Sequence, residues 1–319
     1  MRHAASADDV ARQRRTEQIA ELAAHPGMPD AIRTVCSGIV ELFGGSQVLN
    51  VVVSDRARLV MGFMAIYLDA GYDPMTPLSG LTVNRFKAQC AATGLCSPGR
   101  AAAMLGLMRF AGYLKPASDA QRGQPLRLVP TEKLIGPASE RWRRAFSGLT
   151  HLRPEGKIGL ALLDDPAFAR TFACAAVELF LTRERLVEHG RAIVLFTDRK
   201  GGLVVLMTLM LSAEPGDDMP PRGPISFPAA ALARRFGISR AQVKDVLQSA
   251  VSTGLLLPAG PDSTAFVIAP RLRESILGFF GAVFLLISDT IAAAEPHLRD
   301  VNQRAADGPG KTRATAGWH

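Results

Sequence analysis

The 319-residue chain lacks most of the devices that mark an enzyme or a metalloprotein. Its four cysteines (Cys36, Cys90, Cys96 and Cys174) form no CxxC pair and keep no ligand spacing with histidine. That pattern points to reduced, mostly buried thiols and away from a disulfide scaffold. A redox-sensing role would require an exposed thiolate of low pKa. The six histidines (His3, His25, His151, His189, His297 and His319) are scattered without HxH or HExxH spacing, so no metal and no other cofactor is expected. No P-loop, GxGxxG, nucleophile–base set or paired catalytic carboxylates occurs, and catalysis is not expected. The longest apolar runs, Leu203 to Leu211 and Ile276 to Ile287, fall short of the roughly 20 residues that span a bilayer. The N-terminus carries Arg12, Arg14 and Arg15 but no apolar core of a secretory signal. From these absences a soluble, cytoplasmic protein with no membrane partner is expected.

What is present is charge and repetition. The net charge of +8 and a pI near 9.7 favour anionic partners. Nearly all of the excess lies in the first half of the chain. The sequence also says nearly the same thing twice, at a separation of about 140 residues. Pro29-Asp30-Ala31-Ile32-Arg33-Thr34, leading into Val40-Glu41-Leu42-Phe43, recurs as Pro166-Ala167-Phe168-Ala169-Arg170-Thr171 and Val177-Glu178-Leu179-Phe180. An apolar stretch ending in Asp55-Arg56 recurs ending in Asp198-Arg199. Ser97 and Gly112-Tyr113-Leu114 recur as Ser239 and Gly254-Leu255-Leu256, and Pro130 as Pro270. So long a period implies two copies of a domain, able to pack as a two-fold dimer on one chain.

Each copy reads as helix, short strand, apolar helix, three-helix segment, β-hairpin and long helix. The first helices cover Asp30–Phe43 and Pro166–Glu188. The strands are Val48–Val53 and Ala192–Phe196, rich in the residues that favour β-pairing. Apolar helices follow at Arg58–Asp69 and Gly202–Ser212, and closing helices at Thr131–Leu149 and Leu272–Glu295. Residues 1–24 read as a charged N-terminal arm, 25–158 as the first unit, 159–296 as the second and 297–319 as a flexible tail.

The second copy carries the clearest motif. Pro228 to Phe236 forms one helix, Gly237 supplies the positive φ that ends it, and Ile238 plugs the core. Ser239 is placed to cap the next helix, Arg240 to Ser252, whose Val243, Val246, Leu247 and Ala250 share a face. Opposite them lie Arg240, Lys244 and Gln248, with Gln242 alongside. Arginine and glutamine suit bidentate contacts with guanine and adenine edges in the major groove. A hairpin follows, Leu255 to Ile268. Leu232 to Val243, with Arg234, Arg235 and Ser239 inside it, resembles the helix-turn-helix of bacterial winged-helix transcription regulators. The whole unit resembles the MarR-like regulators, which work as dimers. The resemblance implies a mainly α fold with small β-wings, two winged-helix domains related by a pseudo-two-fold axis and double-stranded DNA as the partner.

The first copy has diverged. Val83 to Gly94 aligns with the first motif helix, and Ser97-Pro98 is a strong helix start. Aligned on the serines, the places of Arg240, Gln242, Lys244 and Gln248 become Pro98, Arg100, Ala102 and Gly106. Arg100 is thus its one base reader, while Lys115, Arg122 and Arg127 charge the wing and suit phosphate or minor-groove contact. On this reading copy one grips and copy two reads. The competing reading is that copy one has left DNA and serves packing or ligand sensing. Met61, Phe63, Met64, Tyr67, Leu206, Met207 and Met210 could line an adaptable pocket for a small-molecule effector, or simply fill a core. Arg141 to Arg144 could touch phosphate or form a solvated face anchored by Trp142.

The expected function is sequence-specific duplex DNA binding in transcription control, by a monomer with pseudo-two-fold symmetry or a higher-order homo-oligomer. Its two motif helices would sit about one helical turn, roughly 34 Å, apart. The alternatives are a plasmid or phage replication initiator with tandem winged helices, and a winged-helix scaffold that binds protein.

Overall fold

The computed structural model describes residues 7–44, 56–76, 79–118, 125–182, 186–213, 216–227, 229–260 and 265–306. The chain is mainly helical, with two small antiparallel sheets. The first half runs α1 (Ala7–Ala23), α2 (Met28–Gly44), α3 (Arg56–Ala70), β1 (Leu81–Thr82), α4 (Val83–Ala92), α5 (Pro98–Phe110), β2 (Leu114–Pro116), β3 (Arg127–Pro130) and α6 (Glu132–Leu149). After α7 (Glu155–Leu162) come α8 (Pro166–Thr182), a 3-10 segment (Leu186–Ile193), α9 (Val194–Thr197) and α10 (Gly202–Leu211). Then follow β4 (Ile225–Ser226), α11 (Ala229–Phe236), α12 (Arg240–Ser252), β5 (Leu256–Ala259), β6 (Ala265–Ile268) and α13 (Pro270–Ala306).

The order strand, helix, helix, hairpin, long helix therefore occurs twice. The sheets share one topology, β1-β3-β2 and β4-β6-β5, with Leu81 opposite Leu128 and Ile225 opposite Phe266. The turns match as well. Gly94 and Gly237 close the first helix of each pair at φ +64° and +62°, and Gly112 and Gly254 leave the second at +77° and +67°. A side chain with a Cβ is strained in that region.

Several expectations change. Ala192–Phe196 is helical, not a strand. Its buried residues, Ala192, Ile193, Phe196 and Thr197, follow helical spacing, and burial overrides the β preference of Val and Ile. Val48–Val53 lies outside the described residues. Each three-helix segment is a two-residue strand and two helices, because the residues ahead of α4 and α11 complete a sheet. The charged arm is a docked helix: Ile19 and Leu22 are buried, and Arg15 meets Asp289 of α13 at 2.7 Å. α13 continues helical through Ala306, so the expected tail boundary at 297 falls inside a helix.

Two cores result. The smaller joins α3 to α4, α5 and the first sheet, with Val177 of α8 closing it. The larger reaches from Ile19 to Ala294 and takes in helices of both halves. At its centre, α13 buries Ile276, Phe280, Phe284, Leu285 and Ile291. Among the described residues this helix alone is long and apolar enough, over Pro270–Glu295, to cross a membrane by length and composition. Here it is clasped by α1, α8 and the 3-10 segment. The crossings are close: a Cβ on Gly190 would meet the carbonyl oxygen of Ser275 at 2.2 Å, and one on Gly278 that of His189 at 2.2 Å.

The halves interleave reciprocally. α2 packs on α10, and its counterpart α8 packs on α3. The repeated arginines finish each contact. Arg33 on α2 donates to the carbonyl of Ala213, just past α10, at 3.3 Å. Arg170 on α8 donates twice to the carbonyl of Ala70, the last residue of α3, at 2.9 and 2.6 Å. The last carbonyls of a helix lack partners within it, and a cation there also meets the negative end of the helix dipole. Trp142 joins the same seam, stacked with Phe63 of α3 and edge-on to Phe172 of α8.

Candidate nucleic-acid interface

The second helix pair is held by its own sequence. Leu232, Ala233 and Phe236 bury one side of α11, and the amide of Ile238 returns to the carbonyl of Ala233 across the turn. Ser239 and Gln242 then form a capping box. The Ser239 hydroxyl accepts from the amide of Gln242 at 3.1 Å, and the Gln242 side-chain carbonyl accepts from the amide of Ser239 at 3.0 Å. Two orphan amides are satisfied at once, an arrangement that fixes where α12 begins. These two residues, expected among the DNA contacts, therefore have side chains engaged in the cap.

α12 buries Val243, Val246, Leu247 and Ala250 and leaves Arg240, Lys244 and Gln248 exposed. Spaced four apart, they form one row along the helix. Arg234 and Arg235 are also exposed at the end of α11, with the Arg235 guanidinium 5.3 Å from the centre of the Phe236 ring. Arg199 braces the helix from behind. It donates to the Ser249 hydroxyl and meets the Asp245 carboxylate at 3.2 Å, tying the end of α9 to the flank of α12. These contacts give Arg199 of the repeated Asp-Arg pair a structural role, as its recurrence at equivalent places in the two copies suggests; Asp55 and the side chain of Arg56 lie outside the described residues.

In the first copy, Ser97 caps α5 by accepting from the amide of Arg100 at 3.3 Å, and Pro98 occupies the first turn. Ala101, Met104, Leu105 and Met108 are buried. Arg100 and Lys115 are exposed, but the outward face of α5 is built of Ala102, Ala103, Gly106, Leu107 and Phe110. Arg122 lies outside the described residues. Arg127 does not extend into a wing surface. It is largely buried, paired with Asp69 at 3.6 Å and stacked 3.8 Å above the Tyr72 ring. The reason is local: β3 is the central strand, and residue 127 on it is turned toward α3. Burial pushes the Asp69 carboxyl above its ordinary range, while the Arg127 and Arg170 guanidinium groups pull it back down.

The other candidates resolve into packing. Met61 and Met64 sit in the smaller core and Leu206, Met207 and Met210 in the larger. The hollow between α10 and α13, lined by Met207, Met210, Ile276 and Phe280, has room for no more than about one water molecule. Arg143 pairs with Asp164 at 2.8 Å and Arg144 with Glu140 at 2.8 Å, so both bind the surface of the protein itself. Burial holds the Cys36 thiol well above its usual range and pushes that of Cys90 up to about 12, which keeps both protonated.

Two features escaped sequence reasoning: the helix-end contacts of Arg33 and Arg170, and the exposure of Leu107 and Phe110 beside the bare positions of α5. The first had a visible signal, since both arginines stand at one place in the repeated hexapeptide. No protein-family model, curated protein or solved structure matches the chain.

Proposed function

We propose that this protein is a sequence-specific, double-stranded DNA-binding transcription regulator. In this reading each strand–helix–helix–hairpin is a winged helix, and two such domains on one chain stand about a pseudo-two-fold axis as a covalent MarR-like pseudo-dimer. Isologous packing has residue i of one protomer meeting j of the other, and j meeting i. The reciprocal pairs α2–α10 and α8–α3, each finished by Arg33 or Arg170 on the other's helix end, have that form.

The observation that carries the reading is the row Arg240, Lys244 and Gln248 on a capped, braced helix, with its apolar side committed to the core. Such a helix can enter a major groove without moving, and Arg240 can meet guanine O6 and N7 together. Lys244 and Arg234 suit phosphates, which supply affinity without sequence preference. The protein acts in the cytoplasm on the nucleoid. Since only the second domain offers such a row, the operator is asymmetric, its sequence preference concentrated in the half-site that α12 reads.

Selection of bound fragments from genomic DNA tests this, followed by titration at several salt concentrations. Specific affinity should fall steeply as salt rises. Arg240→Ala should cost about 1–3 kcal/mol of preference at a single base position. Equal affinity for selected and random duplexes would remove the proposal.

A further inference from the structure

The exposed side of α5 is apolar where that of α12 is polar. Aligned on their capping serines, Ala102, Ala103, Gly106, Leu107 and Phe110 stand where α12 has Lys244, Asp245, Gln248, Ser249 and Ser252. Phe110 is 92% exposed and Leu107 36%, on a helix whose opposite face is fully packed. Around Gly106 nothing lies within 4 Å of where a Cβ would stand, and Ala103, Leu107 and Phe110 on either side of it are exposed. Ala103, Gly106, Leu107 and Phe110 fall at i, i+3, i+4 and i+7, one continuous stripe on a helix. A phenyl ring in water gains nothing for folding; covered by a partner it contributes apolar burial.

Charge selects what covers it. From Pro74 to Ser118 there is no aspartate or glutamate, while Arg85, Lys87, Arg100, Arg109 and Lys115 occur. Arg109 is exposed on α5 itself, and Lys133 donates to the carbonyl of Ala111 at the Phe110 end, with Glu132 next to it in sequence. A second copy of the same face would set these cations against each other. Base edges in a groove would find no donor or acceptor at Ala102, Ala103 or Gly106. Small residues at the middle of the stripe allow another helix to approach closely, with Leu107 and Phe110 as anchors at one end.

We propose that α5 is a protein-docking helix whose occupant is an amphipathic helix of a partner protein, apolar on the contacting side and flanked by aspartate and glutamate. Apolar anchors give the contact its strength, and the basic rim steers the acidic flanks and sets the register. Docking on α5 does not require DNA on α12, so each surface can be broken alone.

The test is a phage-displayed library of helical peptides selected on the immobilised full chain, with the Phe110→Ser chain as counter-target. Enriched peptides should carry apolar residues at i, i+3 or i+4, and i+7, with acidic flanks. Their synthetic forms, titrated by fluorescence anisotropy, should bind at least tenfold more weakly to Phe110→Ser and to Arg109→Glu. Arg240→Ala should bind them as the parent does, and thermal melts should show every variant folded. Enrichment of neutral or basic peptides overturns the proposal, as does equal binding to Phe110→Ser or no enrichment at all. A concentration-dependent dimer abolished by Phe110→Ser would make a second copy the occupant and overturn it. Binding of an oligothymidine strand abolished by Phe110→Ser would make the face a base-stacking platform and also overturn it.

Discussion

The two strand–helix–helix–hairpin segments share sheet order, turn glycines and buried helix faces, yet differ almost wholly in what they show to solvent. Val243, Val246, Leu247 and Ala250 correspond to Ala101, Met104, Leu105 and Met108, and all eight are buried. Across the exposed faces almost every chemical character changes. The contrast separates two demands on one helix. Packing tolerates exchange among apolar side chains of suitable total volume, so the inner face keeps its character through divergence. The outer face answers only to a partner, and on the reading proposed above the two copies answer to different ones.

Support for the outer helices differs too. α12 has a full capping box and the Arg199 brace. α5 has a serine cap, a proline in its first turn, and Lys133 donating to the carbonyl of Ala111 at its far end. A helix that reads bases must hold side chains to within fractions of an ångström, whereas one that receives a peptide gains most of its contact from apolar area. The heavier bracing is on the copy proposed to read sequence.

The largest break in the symmetry should come from the reciprocal arginines. Arg170→Ala removes two short donations to Ala70 and should cost about 1.5 kcal/mol in denaturant unfolding, with Arg33→Ala costing about 1 kcal/mol through its longer single bond. If the two contacts are independent, the double variant should lose their sum within about 0.5 kcal/mol. A loss below that margin for both would show that the seam is held by apolar packing alone.

The caps sharpen the same comparison at smaller scale. Ser239→Ala abolishes a two-sided box and should cost about 1 kcal/mol, while Ser97→Ala, where Pro98 still starts the helix, should cost about 0.5 kcal/mol. Amide exchange in the first turns of α12 and α5 would report each effect locally. Equal losses would mean that the box adds nothing beyond the single cap.

The smallest effect concerns Asp69, which has a paired cation in Arg127 only in the first copy's sheet. Burial raises its folded-state pKa above the unfolded value, so its contribution to stability is full below the ordinary carboxylate range and lost as pH rises through the raised value. Asp69→Asn should therefore change stability at neutral pH by only a few tenths of a kcal/mol and flatten its pH dependence just above the ordinary carboxylate range. A steeper slope in the variant would reverse the sign assigned to this group.

Much of the helical framework was legible because it depends on local signals. Gly237 before Ser239, Ser97 before Pro98 and the apolar spacing of α5 and α12 each have a physical meaning within a few residues. Ala192–Phe196 misled because a short apolar run has no period long enough to separate strand from helix, and packing against α13 decided it. Arg127 misled for a related reason. A cation near a hairpin turn looks exposed in sequence, and only its position on the central strand turns it toward Asp69 and Tyr72.

The amino-acid order alone determined that a unit is repeated, that each copy holds a helix pair with a serine cap on its second helix and a hairpin, and that their outer faces differ. Those properties arise from neighbours along the chain, where backbone preference and helical spacing act. The tertiary structure decided that the helices α2 and α8 each cap the other half's apolar helix, that α1 is docked, and that Arg127 is turned inward to Asp69. These facts depend on which residues meet across tens to hundreds of positions of sequence, a matter of shape and burial that no local pattern encodes.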